Sequence, residues 1–486
     1  MYFKKIFLSI LFLSVFSFAE TVPNICTFLK NDLEFIHSQL VENSSNYNFS
    51  KTIRDKVNSA YQKSLAESEL CLTSLDYMKT ITSYVVSYGD PHIRYKMLNA
   101  LTYYATGILL VNFNNHIFVI NVNKDFYSGN KVKPGHELIS CSGKPILEIL
   151  QNDILRYESV TALESSQFSN AYKIFFHWNK VANEITTCSF RDENNQYEEH
   201  LAWKEVNDGQ KYLQSYYDFF FKYEIYSIEE KSYGHYIHLS SMYPENDSEL
   251  ALLKKFVSDV SSLQQDKYIV LDLRTNGGGN SAWGDEWLEN LWGYEPSYSG
   301  KPSIMFSTED NYTHFKSFYD TEIAAGNLNQ SEMEWVTKWL DCVKNNYGYF
   351  VYYTNETCQK YTPENENRKE GFQKSSEQKQ FNGKVIILTD PFCFSSCELF
   401  VKALKMMPNT IHVGLPTNAS TNYGDIRNVK IPSNLGRFSI TQKVFFIMDG
   451  AALIPDMKLN FIPELEFQGK DSLKIQIEKM IEIGTL

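Results

Sequence analysis

A chain of 486 residues that is 43% hydrophobic and 15% aromatic carries enough apolar side chain for packed cores in about two to four domains, which excludes a disordered polymer. Its formal net charge of −12 excludes a general nucleic-acid binder, because phosphate contacts require a basic face. The eight cysteines form an even set, and disulfides are allowed if the chain leaves the reducing cytosol.

The N-terminus has a charged start at Lys4 and Lys5, an apolar run from Ile6 to Phe18, and small residues up to Ala19 ahead of Glu20. This pattern reads as a secretory signal at 1–19, cut after Ala19, because the run is shorter than the roughly 20 residues a membrane span needs. The chain is therefore expected to be exported, to the periplasm or outside the cell, with no stable membrane insertion after cleavage. Cys26 with Cys71 and Cys342 with Cys358 are the first pairings to expect, while Cys393 and Cys397 bracket Ser395 and are either a local disulfide or two buried thiols. No cysteine–histidine cluster has zinc spacing, and neither a metal nor an organic cofactor is implied. Asn-x-Ser/Thr sites such as Asn43, Asn311 and Asn355 matter only in a glycosylating host.

From 20 to 95 the apolar spacing of Leu29, Leu33, Ile36 and Leu40 predicts a helical module, which ends where Gly89 and Pro91 break the helix and put His92 on a turn. Between 100 and 200 short β-type runs precede "PGHELISCSGKPILEIL" at 134–150, a strand, glycine turn and helix that resemble a PDZ domain, a module that takes an extended peptide as an added strand. An ordinary β-rich linker domain is the alternative. From 205 to 486 strands and helices alternate, which predicts an α/β layer. An aromatic, partly helical stretch at about 281–380 interrupts that layer as an insertion, with a polar loop at 362–380.

Two stretches of this layer point to chemistry. In "KYIVLDLRTNGGGN" at 267–280 an apolar strand runs into Gly277, Gly278 and Gly279, which let backbone N–H groups approach a ligand as an oxyanion hole requires. A dinucleotide loop is disfavoured because the G-x-G-x-x-G spacing is absent. In "KVIILTDPFCFSSCELFVKAL" at 384–404 a strand, tight turn and helix put Ser395 and Ser396 at a helix start, where exposed donors favour an oxyanion. A serine there can equally be a simple helix cap.

In this order the two stretches resemble the core motifs of the tail-specific and tricorn-core serine peptidases, and "GAALIPDMKL" at 450–459 resembles that family's Pro-Asp segment. The resemblance implies a crotonase-like α/β peptidase core behind the helical module and the PDZ-like domain. It makes Ser395, three residues before Glu398, the nucleophile, with the Gly278 and Ser396 amides as the oxyanion hole. The family's serine–lysine branch carries its base in a loop that here reads "GLPTNASTNYGD" at 414–425, with no lysine before Lys430. The serine–histidine–acid branch takes a histidine from an Asp-x-His turn, which Asp90-Pro91-His92 fits, and imidazole suits proton shuttling near neutrality. The branch's acid position falls on Asp449, with Asp425 as the competitor. The implied function is hydrolysis of protein or peptide substrates by an exported serine endopeptidase, with a homo-oligomer left open. The rivals are a catalytically inactive peptide-binding or scaffold protein on the same fold, and an esterase or amidase using the same triad.

Overall fold

The apolar runs at 268–273 and 384–389 become neighbouring strands because both of their faces are buried. The computed structural model describes residues 25–98, 103–159, 164–178, 185–193, 195–220, 224–295, 303–326, 328–354, 357–362, 373–374, 381–419, 422–446 and 450–486. Its central sheet runs in the order Tyr226–Lys231, Gly234–Leu239, Tyr268–Asp272, Lys384–Thr389, Thr410–Gly414 and Met457–Lys458. The first pair is antiparallel and every later pair is parallel. Ile269, Leu271, Val385 and Ile387 face the helices Asp247–Ser258, Ala282–Trp292 and Ser396–Lys405. Val270, Ile386 and Leu388 face the C-terminal helix Ser472–Glu482. Side chains of a strand alternate between faces, so a run with no polar gap requires helices on both sides, as found here.

The helices Cys26–Asn43, Ser45–Phe49, Lys51–Ser68 and Ser74–Val86 account for the periodic N-terminal segment, and Thr73 and Asp76 form a capping box at the last of them. These helices share their apolar cluster with Ile431, Phe438 and Ile440 from the far end of the chain. Strand Tyr95–Met97 continues the union by pairing antiparallel with Gly436–Phe445, Tyr95 opposite Phe438. Between the helices and the central layer, Ile108–Phe113, His116–Val122, Glu137–Cys141, Thr187–Arg191 and Gln196–His200 form an antiparallel sheet with its own core. The strand, turn and helix read at 134–150 appear there as Glu137–Cys141, left-handed Ser142 and Gly143, and Ile146–Ile149.

The stretch expected as an insertion at 281–380 differs from that expectation at its start. Helix Ala282–Trp292 belongs to the central core through Trp287, Leu288 and Leu291. Strands Ser303–Phe306, Phe350–Thr354 and Thr357–Lys360 then extend the sheet of Gly436–Phe445, and helices Glu309–Ala324 and Gln330–Lys344 accompany them. Apart from 362 and 373–374, the polar loop lies outside the described residues, as do the leader at 1–19 and Asn355. Asn43 and Asn311 are buried and hydrogen-bonded to each other's segments, which leaves neither able to carry a glycan in the folded chain. Four disulfides join Cys26–Cys71, Cys141–Cys188, Cys342–Cys358 and Cys393–Cys397. Among the described residues no helix is long and apolar enough to cross a membrane.

A buried charge network locks the sheet to the last helix. Arg274 grips Asp272 through Nε and Nη2 (2.9 and 2.6 Å) and Asp471 through Nη1 and Nη2 (3.0 and 2.5 Å), and Asp272 also accepts the Tyr236 hydroxyl at 2.6 Å. Burial pushes the Asp272 carboxyl up, but Arg274 and His238 outweigh it and hold the group well below the usual carboxylate range. Arg274→Leu leaves Asp272 buried without its counter-charge and should cost about 3–5 kcal/mol in a denaturant titration; a loss within experimental error would contradict this.

Candidate active site

The strand Lys384–Thr389 ends at Asp390 and Pro391, and the chain turns through Ser395 into helix Ser396–Lys405. Ser395 has φ 57° and ψ −119°, a backbone state outside the ordinary wells for a residue with a Cβ, and its side chain does not cap the helix. The simple-cap alternative is thereby removed. Such a conformation costs on the order of 1–3 kcal/mol and persists only where neighbours impose it. Here the Ser395 carbonyl accepts the Glu398 and Leu399 amides at 2.9 and 3.2 Å, and the disulfide Cys393–Cys397 spans the Ser395 turn. The 415–419 loop supports the turn from outside, with Asn418 donating to the Cys393 carbonyl and the Pro391 carbonyl, both at 2.9 Å. Glu398 is fully buried and accepts Thr417 Oγ1 (2.5 Å) and the Ala419 amide (3.0 Å), which holds that loop against the helix.

Strand Tyr268–Asp272 runs parallel beside Lys384–Thr389, with Asp272 opposite Leu388, so the glycine loop and the serine turn leave the sheet at the same end. The Phe394 amide donates to the Asn276 carbonyl at 3.0 Å, and Ser396 Oγ donates to the Gly279 carbonyl at 2.6 Å. A Cβ on Gly278, whose φ is 89°, would lie 2.6 Å from the Phe394 carbonyl oxygen and 3.1 Å from Ser395 Cβ, so only glycine lets the loops touch. The Gly278 amide departs from the expectation of an open oxyanion donor: it donates to Asn276 Oδ1 at 2.9 Å. An asparagine side chain readily bonds the amide two residues on, and Asn276 is fixed for this by donating Nδ2 to the Leu239 carbonyl at 3.0 Å. Ser396 opens its helix, so its amide has no carbonyl within the helix to bond.

The histidine arrives from the other end of the chain. After helix Ser74–Val86, Gly89 takes φ 70° and the chain folds into the Asp90-Pro91-His92 turn. Asp90 Oδ1 accepts the His92 amide at 2.9 Å and His92 Nδ1 at 3.2 Å, while Asn46 Nδ2 donates to Asp90 Oδ2 at 3.3 Å. The His92 carbonyl accepts Ser439 Oγ at 2.5 Å. The imidazole packs against Phe394, the neighbour of Ser395, with ring centres 4.4 Å apart. His92 Nε2 is buried and has no hydrogen-bond partner among the described residues. Asp449 lies outside the described residues. Asp425 instead pairs with Lys443, and its charge acts on His314 and Tyr319. Among the described residues the carboxylate bonded to His92 is Asp90, which the sequence reading treated only as part of the turn; its signal was the two-residue spacing that lets one carboxylate bond both the amide and the ring.

No family model matches the sequence, and no curated protein matches it. Among solved structures, mature CPAF complexed with lactacystin aligns over 94% of this chain and 98% of its own, at a TM-score of 0.65 and 13% identity. A second structure of mature CPAF aligns over 94% and 97% at 0.65 and 12%. The chain has the fold of CPAF. The tricorn protease aligns over 94% of this chain and 37% of its own at a TM-score of 0.40 and 13% identity, a likeness too loose to carry an argument.

Two features of the Ser395 turn are open to measurement. Asp390 is buried, and its Oδ1 accepts the Thr275 and Phe392 amides at 3.1 and 2.9 Å, joining the glycine loop to the serine turn. Burial pushes its carboxyl up to about 6 from 3.8, only partly offset by those two amides. The folded chain therefore holds an extra proton between those values, and the stability this group contributes is present below about 4 and lost as the pH rises through about 6. Asp390→Asn keeps an acceptor at Oδ1 and removes the titration, so it should gain on the wild type by up to about 3 kcal/mol between pH 4 and 7; denaturant titrations at the two pH values check this, and a constant difference would contradict it. The Cys393–Cys397 link closes a loop of 4 residues against 45 for Cys26–Cys71, and chain-entropy scaling gives it about 2 kcal/mol against about 4. Its larger effect should be local: replacing both cysteines by alanine should slow the reaction of Ser395 with a fluorophosphonate by tenfold or more while the melting temperature falls only a few degrees.

Proposed function

We propose that this chain is an exported serine endopeptidase of the tail-specific, tricorn-core type, acting through a Ser395 acyl-enzyme with His92 as general base. The observation that carries the reading is the His92 imidazole, tied by Nδ1 to Asp90 while Nε2 is buried without a partner beside the Phe394-Ser395 turn. A buried ring nitrogen with nothing to bond costs stability unless a proton-bearing group is to fill the place. In this mechanism Nε2 takes the Ser395 proton as Oγ attacks the scissile carbonyl, and Asp90 holds the tautomer and stabilises the imidazolium. The Ser396 amide, at the positive end of its helix, faces the developing oxyanion. The Gly278 amide joins it when it leaves Asn276 Oδ1. The imidazolium returns its proton to the leaving amine, and water then releases the acyl group by the same route.

The central parallel layer is read as the crotonase-like core and the 108–200 sheet as the PDZ-like domain. Four disulfides support an oxidising compartment and hence export. The fold shared with CPAF and the two motifs with their Asp-Pro-His turn favour peptides over simple esters as substrates. Ser395→Ala should abolish peptide hydrolysis with an unchanged melting temperature, and undiminished turnover would refute the assignment. Asp90→Asn should lower kcat by about 10⁴-fold, measured beside Asp449→Asn; a full effect from Asp449→Asn with none from Asp90→Asn would move the acid to residue 449.

A further inference from the structure

Arg94 stands two residues beyond the histidine. Its amide donates to Ser439 Oγ at 2.9 Å and its Nε to the Pro91 carbonyl at 2.5 Å, which folds the side chain back over the turn. The guanidinium carbon lies 5.8 Å from the centre of the Phe394 ring, the ring that also packs on His92. A fixed cation thus sits beside the residue that precedes the nucleophile. Arg94 is exposed, and the carboxylates whose charges act on it are Asp90 and Glu158. The two carboxylates are already engaged, Asp90 with His92 and Asn46, and Glu158 with Lys173, His177 and Trp178. Among the described residues no carboxylate is within ion-pairing distance of Arg94, and its bond to Pro91 uses only Nε, which leaves Nη1 and Nη2, a pair able to bind a carboxylate two-pronged, out of that bond. In a chain of net charge −12 an anionic substrate is repelled at long range, so its capture needs a local cation of this kind.

We propose that Arg94 determines specificity by binding a substrate carboxylate that flanks the bond cleaved at Ser395. The inference rests on the hydrolase reading of Ser395. The carboxylate has two sources, an acidic side chain near the cut or the free C-terminus of the peptide, and the experiment separates them. Matched peptides carry Glu, Gln or Lys at each position within three residues of the cut, each made as the free acid and as the C-terminal amide. The wild type, Arg94→Ala and Arg94→Glu are compared by kcat/KM, and equilibrium binding of the same peptides is measured on Ser395→Ala with and without Arg94→Ala.

The wild type should favour one Glu peptide over its Gln partner, or the free acid over the amide, by about tenfold or more; the first result identifies a side chain and the second a terminus. Arg94→Ala should bring that ratio close to one, and Arg94→Glu should invert it toward Lys. Ratios near one in the wild type overturn the proposal. So does a preference that survives both substitutions, or an equal fall on every peptide, which would reduce Arg94 to a support for the Pro91 carbonyl. If no peptide is cleaved, the hydrolase reading fails by itself, and the binding ratios on Ser395→Ala still decide the role of Arg94.

Discussion

The site depends on one long-range contact: the Asp-Pro-His turn docked on strand Gly436–Phe445. Ser439 Oγ donates to the His92 carbonyl and accepts the Arg94 amide, and Tyr95 then pairs with Phe438. Without this seam the histidine belongs to a helical module with no fixed relation to Ser395. The entropy of closing so long a loop grows only with the logarithm of its length, and burial of Ile81, Tyr84, Ile93, Ile431, Phe438 and Ile440 in one cluster offsets it. The histidine is therefore placed by apolar packing shared between the two ends of the chain, and hydrogen bonds refine its position.

The other half of the site follows from sheet geometry. Neighbouring parallel strands end together, so the loops after Asp272 and Thr389 meet at the carboxyl edge of the sheet, where open α/β sheets hold their ligands. Gly278 permits the approach, Asp390 cross-links the two loops, and the Cys393–Cys397 disulfide spans the strained Ser395. The ion network of Arg274, Asp272 and Asp471 lies directly beneath, which makes the platform rigid where the chemistry needs a fixed geometry.

Much of this was legible in the sequence because it depends on local pattern. Both apolar strands, the serine turn with its following helix, the helical module and the Cys26–Cys71 and Cys342–Cys358 pairs follow from periodicity, glycine placement and cysteine position. What was missed depends on partners far away in sequence. Cys141–Cys188 arises from strand register, since those residues stand opposite each other. The strands at 303–360 join a sheet whose central strand is more than seventy residues further on, and no local signal reports that. The Gly278 amide was read as open because a run of three glycines hides the fact that the preceding Asn276 can reach it. The Asp90 contact with the His92 ring was also not read, because the family pattern directed attention to the C-terminal acid Asp449, which lies outside the described residues, although a carboxylate two residues from the histidine needs no long-range folding to reach it.

The central claim is that the imidazole of His92 activates the hydroxyl of Ser395. The most direct measurement is the rate of Ser395 phosphonylation by a fluorophosphonate across pH 5 to 9, in the wild type and in His92→Ala, with the modified residue identified by mass spectrometry. The account predicts a wild-type rate that rises through a single imidazole titration and a variant that is slower by orders of magnitude and lacks that rise. Equal rates with the same pH profile in both proteins would contradict it.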